Sequence, residues 1–262
     1  MRYITICGFL VLVLSSLTLN CSNGDSEEMP IQFEAARLNI EVNNTDGDLG
    51  IQLFFDGGPW TEVKLFNPDG KLLYDVQGKG DLKDLGLTEH FFESEEPVFR
   101  GPDADTTIAE LLANFPEGEY KLEGKTVDGG KIEGTAVFSH IIPCGPVITS
   151  PAVDATGVNP ANTIITWITP TTKITPETGE CDAPLSPDVI IGYEVIVERA
   201  EEEFPPLHLF TLDIPASITS VQVPPGFLEP STAYKFEVLA ILNNDGERGN
   251  QTLTEQFFTT SP

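Results

Sequence analysis

One stretch, 227–240, constrains the fold of this chain more than any other. Leu228, Pro230, Thr232, Tyr234, Phe236, Val238 and Ala240 fall on every second residue, the spacing that lines one face of a β-strand. The pattern recurs upstream. Ile165 and Trp167 share a face of 163–168, and Ile191, Tyr193, Val195 and Val197 alternate with Gly192, Glu194, Ile196 and Glu198. Pro146 to Ser150, Leu207 to Leu212, Ser220 to Val223 and Thr252 to Thr259 complete a run of short strands. Short alternating strands separated by turns predict a β-sandwich.

The Leu228-x-Pro230-x-Thr232-x-Tyr234 portion resembles the tyrosine corner of fibronectin type III domains, in which a Tyr opening a strand bonds back to the preceding turn. Trp167 on the second strand and Tyr193-x-Val195 on the third also stand where that family has them. The resemblance runs from Pro146 to the end, so 143–262 is read as a fibronectin type III-like domain. It implies a fold and a spacer or recognition role, and it says nothing about chemistry, because one fold hosts many functions.

Residues 31–142 resemble no family, but their pattern is again strand and turn. Ala36 to Val42, Gly50 to Phe55, Glu62 to Phe66, Leu72 to Val76, Tyr120 to Val127 and Lys131 to Ser139 are candidate strands. Asn67-Pro-Asp-Gly70 and the Asp-Gly-Gly of 128–130 are hairpin turns. Ile108, Leu111 and Leu112 fall at helical spacing over 107–114, with Thr106 or Thr107 as cap. The expected fold is all-β: two tandem β-sandwiches, the N-terminal one immunoglobulin-like with one short helix, joined at the Pro143-Cys-Gly-Pro146 seam.

The first twenty residues read as a signal peptide. Arg2 is followed by an apolar run from Ile4 to Leu14, shorter than the roughly 20 residues a membrane span requires. The following Leu17-Thr-Leu-Asn-Cys21 resembles a bacterial lipoprotein cleavage box, although Asn20 stands where a small residue is expected. The resemblance implies acylation of Cys21, a tether over 21–30, and a place on a cell-envelope membrane through the lipid alone. Cleavage and release to the medium is the alternative.

A net charge of −27 repels phosphates, which excludes nucleic acid as a partner. Of four cysteines, Cys7 leaves with the signal and Cys21 is the acylation site, leaving Cys144 and Cys181 as an even pair in an oxidising compartment. The type III resemblance places them at one pole of the C-terminal sandwich, in reach of a disulfide. That pole also holds the long loop 169–187, expected to pack on the first domain beside an acidic groove at Asp245 and Glu247.

No catalytic constellation is legible. His90, His140 and His208 have no metal-ligand spacing, and no nucleophile turn, phosphate loop or dinucleotide fingerprint is present. Asn44, Asp46 and Asp48 alternate as oxygen ligands do in calcium loops, yet the Gly and Glu of an EF-hand are missing; a tight turn explains the same residues. No other cofactor is implied. Trp60, Phe54, Phe55, Phe91 and Phe92 fit either core packing or a glycan surface. The expected function is a non-catalytic binding or spacer protein whose partner is a surface protein or glycan. The alternatives are a carbohydrate-binding accessory protein and a small hydrolase within 31–142.

Overall fold

The computed structural model describes residues 29–200 and 208–262. The expected signal peptide, Cys21 and most of the expected tether lie outside the described residues. The described residues are all-β apart from short helical turns.

In the N-terminal half the strands are β1 (Ile31–Gln32), β2 (Ala35–Asn43), β3 (Asp48–Phe66), β4 (Leu72–Gln77), β5 (Leu87–Glu93), β6 (Gly118–Thr126) and β7 (Lys131–Phe138). β3 is the organising strand. Its first part, to Asp56, pairs with β2 on one edge and β5 on the other, and its last part, from Glu62, pairs with β6 and β4. The ladder shifts register between Asp56 and Trp60 and again before Glu62. Gly57-Gly58-Pro59 sits at that shift, where residues with no side chain or no N–H let a strand bend and pass between layers. The two predicted strands 50–55 and 62–66 are therefore one bent strand serving both layers. Leu49, Ile51, Leu53 and Phe55 alternate inward from its first part, Val63 and Leu65 from its second, and they bury against Tyr120, Leu122, Ile132 and Phe138.

The expected helix is α2 (Ile108–Leu112), shortened to a turn and a half; Thr107 Oγ1 accepts from the Glu110 N–H, and the Glu110 carboxylate accepts from the Thr107 N–H. The expectation of one helix needs correction. A second, α1 (Asp81–Leu85), closes the turn between β4 and β5 and buries no residue, so no apolar periodicity marks it. β5 was also missed, because Glu89-His90 interrupts its apolar run.

The C-terminal half contains β8 (Val147–Ser150), β9 (Ala155–Val158), β10 (Ile164–Ile168), β11 (Thr172–Lys173), β12 (Ala183–Pro184), β13 (Ile190–Arg199), β14 (Leu209–Pro215), β15 (Ser220–Gln222), β16 (Ala233–Asn244) and β17 (Glu247–Thr260). The sheet β15-β10-β8 faces the layer β14-β13-β16-β17, the strand order that the type III resemblance implies. Ile165, Trp167, Tyr193, Val195, Val197, Tyr234, Phe236 and Val238 fill the space between them. The tyrosine corner is formed. The Glu229 N–H donates to Tyr234 Oη at 2.8 Å, across a turn that contains Pro230, while Leu228 is buried beside it.

The two halves are not merely linked. β17 pairs in parallel with β2, Gln251 opposite Glu41 and Leu253 opposite Asn43, so one 12-stranded sheet crosses both sandwiches. Asn250 pins this joint. Its Oδ1 accepts from the Ile40 N–H at 2.8 Å, and its Nδ2 donates to the carbonyls of Ser139 at 2.7 Å and Ile141 at 2.8 Å. Thr252 Oγ1 donates to the Pro143 carbonyl at 2.6 Å. Gly145 lies so close that a Cβ there would stand 2.4 Å from Thr254 Oγ1.

The loop 169–187 does reach the first sandwich. Its β11–β12 hairpin aligns with the seam, where the Cys144 N–H donates to the Thr172 carbonyl and the Ile174 N–H to the Ile142 carbonyl. Ile174 is buried within the N-terminal core, the Ala109 N–H donates to the Pro176 carbonyl, and Arg100 donates to the Gly179 carbonyl at 2.5 Å. A Cys144–Cys181 disulfide, with Cα atoms 5.8 Å apart, ties the loop to the seam.

Candidate functional site

The fused layer β5-β3-β2-β17-β16-β13-β14 has an inner face that builds the cores and an outer face continuous across both halves. Strand alternation decides which residues stand on it. A row of hydrogen-bonded side chains crosses the joint there. Gln52 Nε2 donates to Glu93 at 2.8 Å, and Gln52 Oε1 accepts from Asn39 at 3.1 Å and from Gln251 at 3.3 Å. Gln251 also donates to Glu41 and accepts from Arg248 at 2.8 Å, and Arg248 bridges on to Glu194 and, at 3.2 Å, to Asp213. The row therefore runs from β5 to β14 through the strand pair that joins the sandwiches.

At one end of this row Glu41, Glu93 and Glu96 bring carboxylate oxygens within 4.8 Å of one another. Gly50 makes the convergence possible, since a Cβ there would meet Glu96 Cγ at 3.2 Å and Glu93 Cγ at 3.5 Å. Burial, and then the neighbouring Glu93, push the Glu41 carboxyl up from its ordinary 4.5 to about 7, against the opposing hydrogen bond from Gln251. Burial likewise raises Glu96, reinforced by Glu93 and Asp48. Three such oxygens could hold a hard cation.

The raised acid sets the sign of a pH effect. The folded state holds the Glu41 proton more tightly than the unfolded chain does. Its contribution is therefore intact below pH 4.5 and is lost as pH rises to about 7. Glu41→Gln keeps the acceptor for Gln251 and cannot ionise. Urea titrations in a chelator should show equal stability for variant and parent at pH 4, and a variant more stable by on the order of 3 kcal/mol at pH 8. Equal stability at both pH values would contradict the assignment.

The candidate calcium residues form a turn. Asn43 Oδ1 accepts from the N–H groups of Thr45 at 2.9 Å and Asp46 at 3.1 Å, the Gly47 N–H returns to the Asn43 carbonyl, and Gly47 takes a φ of 77°. Asn44 Oδ1 accepts from the Arg100 guanidinium at 3.3 Å, Asp46 accepts from Asn43 Nδ2 at 2.9 Å, and Asp48 lies toward Glu96 and Glu93. The acids that do converge, Glu41, Glu93 and Glu96, lie on β2, β5 and the segment after it. No local spacing in the sequence could have found them.

The aromatic residues divide. Trp60 and Phe55 are fully buried, with ring centroids 5.4 Å apart, and Phe92 stacks on Tyr74 at the core margin. Phe54 and Phe91 instead face each other across β3 and β5 on the outer face. Phe91 is 56% exposed, and Phe54 is half-buried beneath Arg37, whose guanidinium carbon lies 4.4 Å from the ring centroid.

The histidines have structural partners. His90 meets Tyr74 Oη at 2.9 Å, and burial lowers its pKa, which favours the neutral ring. The rings of His140 and His208 meet the carbonyls of Phe115 at 2.7 Å and Phe227 at 2.5 Å. The β16–β17 turn, whose acids Asp245 and Glu247 are expected to border a groove, lies near the junction of the two halves. At that junction a cavity of about 240 Å³ is lined by Ile141, Leu185, Val189, Leu242 and the amides of Asn243, Asn244 and Asn250, along with Ser139. Asn244 Nδ2 donates to the Val137 carbonyl across the junction, whereas Asn243 Oδ1 accepts from the Gly246 N–H within its own turn.

No family model matches this sequence, and no curated protein matches it. Among solved structures the chain is similar to the FN1–FN3 domains of chicken CNTN1, with 11% identity over 89% of this chain and 68% of that one, at a TM-score of 0.33. It is also similar to a tetra-tandem repeat in the extending region of a large adhesion protein, with 12% identity over 87% of this chain and 50% of that one, at a TM-score of 0.29. Likenesses this distant carry no argument.

Proposed function

We propose that this is an exported, non-catalytic binding or spacer protein, held on a bacterial envelope membrane by acylated Cys21. The observation that carries the reading is the β17–β2 ladder. Sandwiches joined by a linker alone move relative to one another by default, whereas a shared sheet pinned by Asn250 and the disulfide-tied loop makes one rigid body. Such a body can hold a surface at a fixed distance and orientation from its anchor. The anchor itself rests on the sequence before Ser22.

Expression in a lipoprotein-processing bacterium tests the reading. The parent should partition with membranes into detergent and incorporate labelled fatty acid, and Cys21→Ser should do neither. Parent protein recovered from the medium with a free amino terminus near residue 21 would overturn the anchor. Reducing-end release from oligosaccharides by the purified protein, abolished by Glu93→Gln, would overturn the non-catalytic reading.

A further inference from the structure

Phe91 is the exposed ring that neither core explains. It stands on β5 between Glu89 and Glu93, which alternation places on the same face, and both carboxylates are exposed. Across β3 lies Phe54, and across β2 from Phe54 lies Arg37. Arg37 forms no ion pair among the described residues, in a chain with 41 Asp and Glu, and covers an aromatic ring instead. Gln52 borders the patch with its amide held by Glu93, Asn39 and Gln251.

We propose that this patch, centred on Phe91, Phe54 and Arg37, is a binding platform for a neutral polysaccharide chain. The inference rests on the binding reading above and names its ligand class. A pyranose has an apolar C–H face and a hydroxyl rim. A flat exposed ring accepts the first, while the exposed carboxylates of Glu89 and Glu93 accept from the second and the Arg37 guanidinium donates to it. The exposed apolar area is a single ring bordered by charges, far from the roughly 800 Å² per partner of a stable protein interface. Charge narrows the ligand further. Glu89 and Glu93 beside the ring, on a chain of net charge −27, repel anionic polymers and also a second copy of the same face.

The full-length protein in a polyoxyethylene detergent is titrated calorimetrically with cellohexaose, laminarihexaose, xylohexaose, mannohexaose and, as the anionic probe, polygalacturonate. At least one neutral hexasaccharide should bind and polygalacturonate should not. Phe91→Ala should weaken the neutral ligand about tenfold. Phe257→Ala should leave its affinity unchanged, because that ring, 40% exposed, lies on the same face but in the C-terminal half. Phe91 buries too little for its removal to unfold the protein, and unchanged melting of the variant checks this. No binding of any neutral hexasaccharide, affinity unaffected by Phe91→Ala, or polygalacturonate binding as tightly would overturn the platform. So would self-association that depends on Phe91 without glycan binding. Membrane partitioning is unaffected by any of these results, so the platform can fail while the anchored-spacer reading stands.

Discussion

Asn250→Ala should destabilise the protein by about 3–5 kcal/mol, more than any substitution on the outer face. The side chain is 5% exposed and joins three backbone groups from two segments, the Ile40 N–H and the carbonyls of Ser139 and Ile141. Truncation leaves the Ile40 N–H buried and the part-buried Ser139 and Ile141 carbonyls without this partner, each costing about 1–3 kcal/mol with the carbonyls toward the lower end. The effect should be specific to the joint. The amide protons of β2 and the first part of β17 should lose hydrogen-exchange protection, while the β13–β16 pairing keeps it. Asn250→Asp tests the chemistry at constant size. Its carboxylate can still accept from Ile40 but faces two carbonyls, so it should be as damaging as alanine at pH 8. A loss below about 1 kcal/mol in Asn250→Ala would show that the joint is held by packing alone.

Removal of the disulfide by Cys144→Ser with Cys181→Ser should cost about 4 kcal/mol, from the chain entropy of a loop spanning a sequence separation of 37. The structure adds a second expectation. The segment between these cysteines inserts Ile174 into the N-terminal core and receives Arg100 at Gly179, so the freed loop should also loosen its hold on the first sandwich. Guanidinium titration of parent and variant measures the cost, and small-angle scattering measures the shape. Scattering should change little, because β17–β2 and Asn250 still join the halves. A marked extension would mean that the loop, and not the ladder, sets the interdomain geometry. A stability loss well under 2 kcal/mol would mean that the hairpin is held by its contacts without the bond.

The two effects have different origins in the chain. The cysteines are legible because they are the pair left once Cys7 and Cys21 are set aside, and because the type III resemblance brings them to one pole. Asn250 is not. It reads as the acceptor of an Asn-x-Thr sequon, and nothing near it in sequence marks it as a buried joint. Its partners at Ile40, Ser139 and Ile141 lie 210, 111 and 109 residues away. The convergence of Glu41 with Glu93 and Glu96 was hidden for the same reason, whereas the turn at 43–48 was legible because Asn, Asp and Gly act on their own backbone.

The sequence by itself determined most of the strands and most of their buried faces; alternation does not mark β5, and a bulge between Ile190 and Gly192 buries Ile190 and leaves the expected Ile191 39% exposed. Ile165, Trp167, Tyr193, Val195, Tyr234, Phe236 and Val238 all point inward as their alternation requires, since a period of two is a local property of the extended chain. It also determined the tyrosine corner and the α2 cap, each built within a few residues. Only the tertiary structure decided that β3 bends to serve two layers, that β17 continues its sheet into β2, and that Phe91 faces solvent while Trp60 does not. Backbone hydrogen bonding between strands is indifferent to side-chain identity. An edge therefore takes whichever partner the packing of both cores brings beside it, and no spacing of residues along the chain records that choice.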